Sequence, residues 1–115
     1  MVENQELDSV FSALSHPVRR RLIERLAESD ATVNELAEPF AMSLPAISKH
    51  LRVLETAGII TRGRRAQFRP CHLNAEPLEA VARWTEQYRH IWQARFDAMT
   101  RIIDAMKERD ADDGQ

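Results

Sequence analysis

Residues 43–60 read Ser43-Leu44-Pro45-Ala46-Ile47-Ser48-Lys49-His50-Leu51-Arg52-Val53-Leu54-Glu55-Thr56-Ala57-Gly58-Ile59-Ile60, and this stretch decides the fold. Ser43 is an N-cap residue type, and Pro45 two positions later fits a first turn, where a missing N–H is not needed. Gly58 stops the helix as a residue free to take the left-handed conformation, so the spacing predicts a helix to about Ala57. Ile47, Leu51 and Leu54 follow i, i+4, i+7 and form its core face, with His50 at the edge. Pro45, Ser48, Lys49 and Arg52 follow i, i+3, i+4, i+7 on the other side. That outer face is short, hydroxylic and cationic.

The flanking sequence supplies a scaffold for such a helix. Upstream, Thr32-Val33-Asn34-Glu35 has the form of a capping box and opens a short helix with Val33 and Leu36 inward, ending before Pro39. Glu38 to Met42 then form the turn of a helix-turn-helix. Before it, Ser15 is a cap candidate for a helix from Pro17 to about Ala27 that turns Val18, Leu22, Ile23 and Leu26 inward. A first helix, Asn4 to Leu14, carries Leu7, Val10, Phe11 and Leu14 on one face. Downstream, Ile59 to Leu73 reads as a β-hairpin with a basic tip, and Pro77 opens one last helix to about Lys107, roughly 46 Å long. The expected order is ααααββα, mainly α with a small β-hairpin: a winged helix-turn-helix. Residues 1–110 are expected to form one domain that includes dimerisation helices, and 111–115 a disordered acidic tail.

Composition places the chain among folded globular proteins, with 43% hydrophobic and 30% charged residues. Its formal net charge of −2 argues against a polyanionic partner, but the distribution reverses that reading. Residues 42–72 hold Lys49, Arg52, Arg62, Arg64, Arg65 and Arg69 against Glu55 alone, whereas the remainder is acidic. Phosphate binding follows the local field, so a basic centre between acidic flanks points to double-stranded DNA. In that setting Ser43 and Ser48 donate to phosphates or base edges, and Lys49 and Arg52 reach guanine acceptors or phosphate oxygens. Backbone amides near Ser43 add an anion-binding helix end. Arg62, Arg64, Arg65 and Arg69, joined by Gln67, suit a wing on the DNA backbone or in the minor groove.

Three segments carry a resemblance. Ala13-Leu14-Ser15-His16-Pro17-Val18-Arg19-Arg20-Arg21-Leu22 is similar to the opening motif of the ArsR (arsenic-repressor-like) transcriptional regulators. Thr32 to Ala37 and Pro45 to Ile60 resemble that family's recognition region, and the likeness extends over about Leu7 to Met106. It implies a homodimeric repressor that leaves its operator when an effector arrives, and it implies DNA contacts at Ser43, Leu44, Pro45, Ser48, Lys49 and the wing arginines. Leu44 departs from the polar residue often found at its position. Trp84, Arg89 and Trp92 resemble a subgroup with an aromatic last helix and no known metal ligands.

The residues point away from the metal switch usual in that family. The helix after the capping box has no thiolate, and Glu86 and His90 on the last helix do not make the three or four ligands a zinc site needs. No cofactor is expected, nor any enzymatic activity, because phosphate loops and nucleophile–base signatures are missing. The residues name no effector. A lone cysteine, Cys71, and the lack of a secretion signal or an apolar span of about 20 residues lead to the expectation of a cytoplasmic protein without membrane contact. Two rivals stay open: a winged helix used for protein–protein contact, and a repressor of the same fold gated by metal or thiol chemistry.

Trp84, Tyr88, Trp92 and Phe96 recur every four residues, continued by Met99, Ile103 and Met106. A chain of this size has difficulty covering so long a stripe. With Leu7, Val10 and Phe11 of the first helix, these residues are expected to form an isologous dimer interface. Twofold symmetry would then set two recognition helices about 34 Å apart on a palindromic operator.

Overall fold

A computed structural model gives the fold and describes residues 2–63 and 69–113. Helices α1 (Val2–Leu14), α2 (Pro17–Glu28), α3 (Val33–Ala37) and α4 (Leu44–Thr56) precede strands β1 (Ile60–Arg62) and β2 (Cys71–Leu73). Helices α5 (Glu76–Glu86) and α6 (Arg89–Asp113) follow. The chain divides into two compact units, Met1–Val81 and Ala82–Gln115. No helix among the described residues is long and apolar enough to cross a membrane.

In the first unit, α1 to α4 and the hairpin share one core. Leu22, Leu36, Ile47, Leu51, Leu54, Ile59 and Ile60 are fully buried there, beside Val10 and Ala13 of α1. Val18, Ile23 and Val33 pack against them half-buried. The two strands pair antiparallel, Ile60 with Leu73 and Arg62 with Cys71. The segment before α3 joins this sheet as a stub: Ala31 N–H donates to Cys71 O at 3.2 Å and Cys71 N–H to Ala31 O at 2.7 Å.

Local chemistry explains most of the boundaries. Thr32 accepts from the Glu35 amide at 3.3 Å while Glu35 Oε1 accepts from the Thr32 amide at 3.2 Å, closing the capping box. These bonds hold the Glu35 carboxyl below its ordinary pKa. Ser43 caps α4, its Oγ accepting from Ala46 N–H at 3.3 Å. At the other end Gly58 N–H donates to Glu55 O (3.0 Å) and Ile59 N–H to Leu54 O (2.9 Å), the paired bonds of a Schellman motif. Gly58 has φ +78° there, and an added Cβ would come no closer than 3.8 Å to Pro77 Cγ. Gly58→Ala therefore meets no steric obstacle and pays only the left-handed backbone cost. We expect about 1–2 kcal/mol lost in urea unfolding; an unchanged midpoint would show that the turn relaxes. Asn74 secures the same corner, donating from Nδ2 to Gly58 O and accepting from Glu76 N–H at the start of α5.

Three expectations need correction. The cap of α2 is His16, whose Nδ1 accepts from Val18 N–H at 3.1 Å. Ser15 instead donates from Oγ to Ser12 O. The last helix is two helices, so the order is ααααββαα. Thr85 Oγ1 donates to Ala82 O and Gln87 Nε2 to Trp84 O, taking up carbonyls at the end of α5. Tyr88 N–H to Thr85 O and Ile91 N–H to Tyr88 O then make tighter three-residue turns. Finally, α6 continues through Asp113, so residues 111–113 of the expected tail are helical. Gly114 and Gln115 lie outside the described residues.

Candidate nucleic-acid interface

Helix α4 is held from behind by Ile47, Leu51 and Leu54, each fully buried, which fixes what it presents in front. Ser43, Leu44, Pro45, Lys49 and Arg52 are exposed and Ser48 half-exposed. Ser43 spends a lone pair on the cap, so its hydroxyl proton stays available to a phosphate. The helix end is a thinner anion site than expected. Pro45 has no amide, Ala46 N–H goes to Ser43 and Ile47 N–H to Ser43 O, which leaves the Leu44 amide. Leu44 itself offers an apolar side chain, 48% exposed, at the tip. Lys49 and Arg52 take no acidic partner among the described residues. Their stems line a groove of about 450 Å³ between α4 and α1, with Ser9, Ser12, Val53 and Thr56. The turn behind α4 is pinned by Arg21 stacked 4.6 Å over the Phe40 ring.

The hairpin divides its arginines. Arg69 is exposed. Arg62, expected on DNA, is turned inward instead: its Nε lies 3.3 Å from Glu55 Oε2 and its side chain is 25% exposed. The pair sits at ion-pair distance without hydrogen-bond geometry, since Nε–H has no hydrogen-bond partner. β1 sets Arg62 against the one acid of the basic stretch, so its charge is largely committed there. Gly63 N–H closes the base of the hairpin loop on Pro70 O at 2.9 Å. Arg64, Arg65 and Gln67 lie outside the described residues. Cys71 is buried in β2, where burial pushes its thiol up and the Arg62 charge opposes that only in part.

The residues expected at a dimer contact separate as well. Val10 is 2% exposed and belongs to the core of its own chain, because α1 turns it toward α2 and α4. Leu7 is half-buried and Phe11 exposed. In the second unit Trp84, Tyr88, Trp92, Phe96, Met99 and Ile103 are all exposed, as are Ile91 and Ile102, which the four-residue spacing did not include. Trp84 meets Tyr88 edge-on at 5.2 Å and Trp92 meets Phe96 edge-on at 6.2 Å, so the rings pair two by two along the exposed residues. Arg89 stacks 5.8 Å over Trp92 while pairing with Glu86 at 3.2 Å. Among the described residues no three His, Cys, Asp or Glu side chains gather as a metal-binding group.

A helix-turn-helix domain model matches residues 14–63, the segment from the end of α1 to the start of the hairpin. The transcriptional repressor SdpR of Bacillus subtilis is 37% identical over 78 residues, covering 68% of this chain and 87% of SdpR. The chain belongs to the ArsR family of winged helix-turn-helix transcriptional regulators. The HTH-type transcriptional regulator Rv2034 of Mycobacterium tuberculosis is 31% identical to this ArsR-family chain over 98 residues, covering 85% of it and 89% of Rv2034. The crystal structure of the ArsR family transcriptional regulator RHA00566 superposes with a TM-score of 0.71 at 39% identity. It covers 76% of this chain and 97% of that one. The expected fold, mainly α with a two-stranded hairpin, is therefore the family's own.

Proposed function

We propose that this ArsR-family chain is a cytoplasmic homodimeric repressor, without enzymatic activity, that binds a palindromic operator in double-stranded DNA. The observation that carries the reading is the exposed face of α4, where Lys49 and Arg52 stand without acidic partners among the described residues, above a fully buried core face. In the major groove Ser48, Lys49 and Arg52 reach base edges and phosphates, and Leu44 suits a thymine methyl better than a polar base edge. Arg69 and the sequence neighbours Arg64, Arg65 and Gln67 serve the backbone or minor groove as the wing. Arg62 supports the wing through Glu55. Residues 1–110 act as one functional piece, with α4 and the wing reading DNA and α1 and α6 pairing with their mates across a twofold axis. Nuclease footprinting on DNA upstream of its own gene tests this. We expect two protected half-sites about one helical turn apart; protection of a single half-site would overturn the symmetric dimer, and none would overturn the operator reading.

A further inference from the structure

One guanidinium fastens α1, α2 and α4 together. Arg19, in the first turn of α2, donates from Nε to Ala13 O at 2.7 Å and from Nη2 to Ser12 O at 3.1 Å. Those carbonyls belong to the last turn of α1, where Ser12 O also accepts from the Ser15 amide and hydroxyl. Its third branch, Nη1, lies 3.2 Å from Nδ1 of His50, in the middle of α4. Arginine donates at every nitrogen and accepts at none, so His50 Nδ1 is the bare nitrogen of a neutral ring protonated at Nε2. The His16 ring packs against His50, centroids 4.4 Å apart, while its own Nδ1 caps α2.

We propose that Arg19 is a positioning residue for DNA recognition, holding the reading face of α4 at a fixed angle to α1 through neutral His50. The proposal rests on the DNA-binding, α1-paired dimer put forward above. If α1 lies at the twofold axis, a small rotation of α4 about its buried side becomes a mismatch at both half-sites at once. Neither Arg19 nor His50 needs to touch DNA for this. Lysine cannot substitute, because a single ammonium does not span two carbonyls and a ring nitrogen in the geometry of the guanidinium fork.

The arrangement also carries a pH dependence. A proton on His50 Nδ1 would face a guanidinium that can only donate. His50 is held below its ordinary pKa by burial first, then by His16 and Arg19. Among the described residues the charged or titratable groups that act on it are Arg19 from α2 and His16 from the α1–α2 turn, with α1 contributing the carbonyls that hold Arg19. The unfolded chain takes the proton near the ordinary histidine value and the folded chain resists it. The contribution of the clamp is therefore complete above the unfolded value, declines below it, and is lost once pH has fallen through the lower folded-state value.

Two measurements on the full chain test the proposal. The first needs no DNA: hydrogen exchange at α4 amides should quicken about tenfold in Arg19→Lys with helix content unchanged. The second follows affinity for a duplex recovered by wild-type protein from a random pool, on going from about pH 7.5 to about pH 5.5. Wild type should lose affinity progressively relative to His50→Gln as pH falls below the ordinary histidine value, since the glutamine amide oxygen still accepts from Arg19 but does not titrate. Wild-type exchange rates in Arg19→Lys, or parallel pH profiles for wild type and His50→Gln, would overturn the clamp. If wild type recovers no duplex at all, the DNA reading fails, and the exchange measurement still decides whether the clamp exists.

Discussion

Replacing Lys49 and Arg52 together by alanine is expected to lower operator affinity on the order of 1000-fold and leave the fold intact. Each protomer loses two cations, so a dimer loses four contacts. At about 1 kcal/mol apiece, the low end for groups that touch base edges or phosphates, the loss sums to roughly 4 kcal/mol. The logarithmic dependence of affinity on salt should flatten by about one unit for each phosphate contact removed. Stability should hardly move, because both side chains are exposed and the core face of α4 is untouched. Titration of a labelled operator at several salt concentrations, with urea unfolding as the control, makes the measurement. A double variant that binds as wild type does, with the same salt slope, would remove α4 from the interface.

The second large effect concerns assembly. Phe96→Asp should convert the dimer to a monomer at micromolar concentration and weaken operator binding on the order of 100-fold or more. An aspartate in the middle of an apolar contact must shed its water without gaining a partner. A monomer also loses the high effective concentration that the second half-site gives a tethered partner. Phe96 is 57% exposed in the single chain, so the substitution opens no cavity in its own core. Sedimentation equilibrium reads the assembly state and circular dichroism checks the helix. A Phe96→Asp chain that still sediments as a dimer would place the interface elsewhere.

What could be seen in the sequence follows from how local each cause is. The capping box at Thr32 and Glu35, the Ser43 cap and the left-handed Gly58 are settled by residues within a few positions, and each lies where the spacing puts it. The core face of α4 was legible for the same reason. The division between α5 and α6 was not, because the aromatic period from Trp84 to Trp92 passes through the turn, and the polar groups that make the turn, Thr85 and Gln87, look like ordinary helix surface. Val10 shares a helical face with Leu7 and Phe11, and periodicity cannot say which side of that face turns to its own core. Arg62 counts as a wing cation in any tally of charge; only the packing of β1 against α4 sets it beside Glu55. Arg19 and His50 stand 31 residues apart, so their contact exists only once α2 and α4 are packed.

The bond between Gly63 and Pro70 and the bridge from Ala31 to Cys71 bear on how such a protein changes its target over generations. Together they tie β2 to β1 on one side and to the segment before α3 on the other, so that the ladder is anchored to the helix-turn-helix through backbone bonds. Backbone bonds do not depend on which side chains the strands carry, so exposed positions of the ladder such as Thr61 can be exchanged without loss of the shared core. Helix α4, bound into that core on one side, is confined to trading the few residues that face outward.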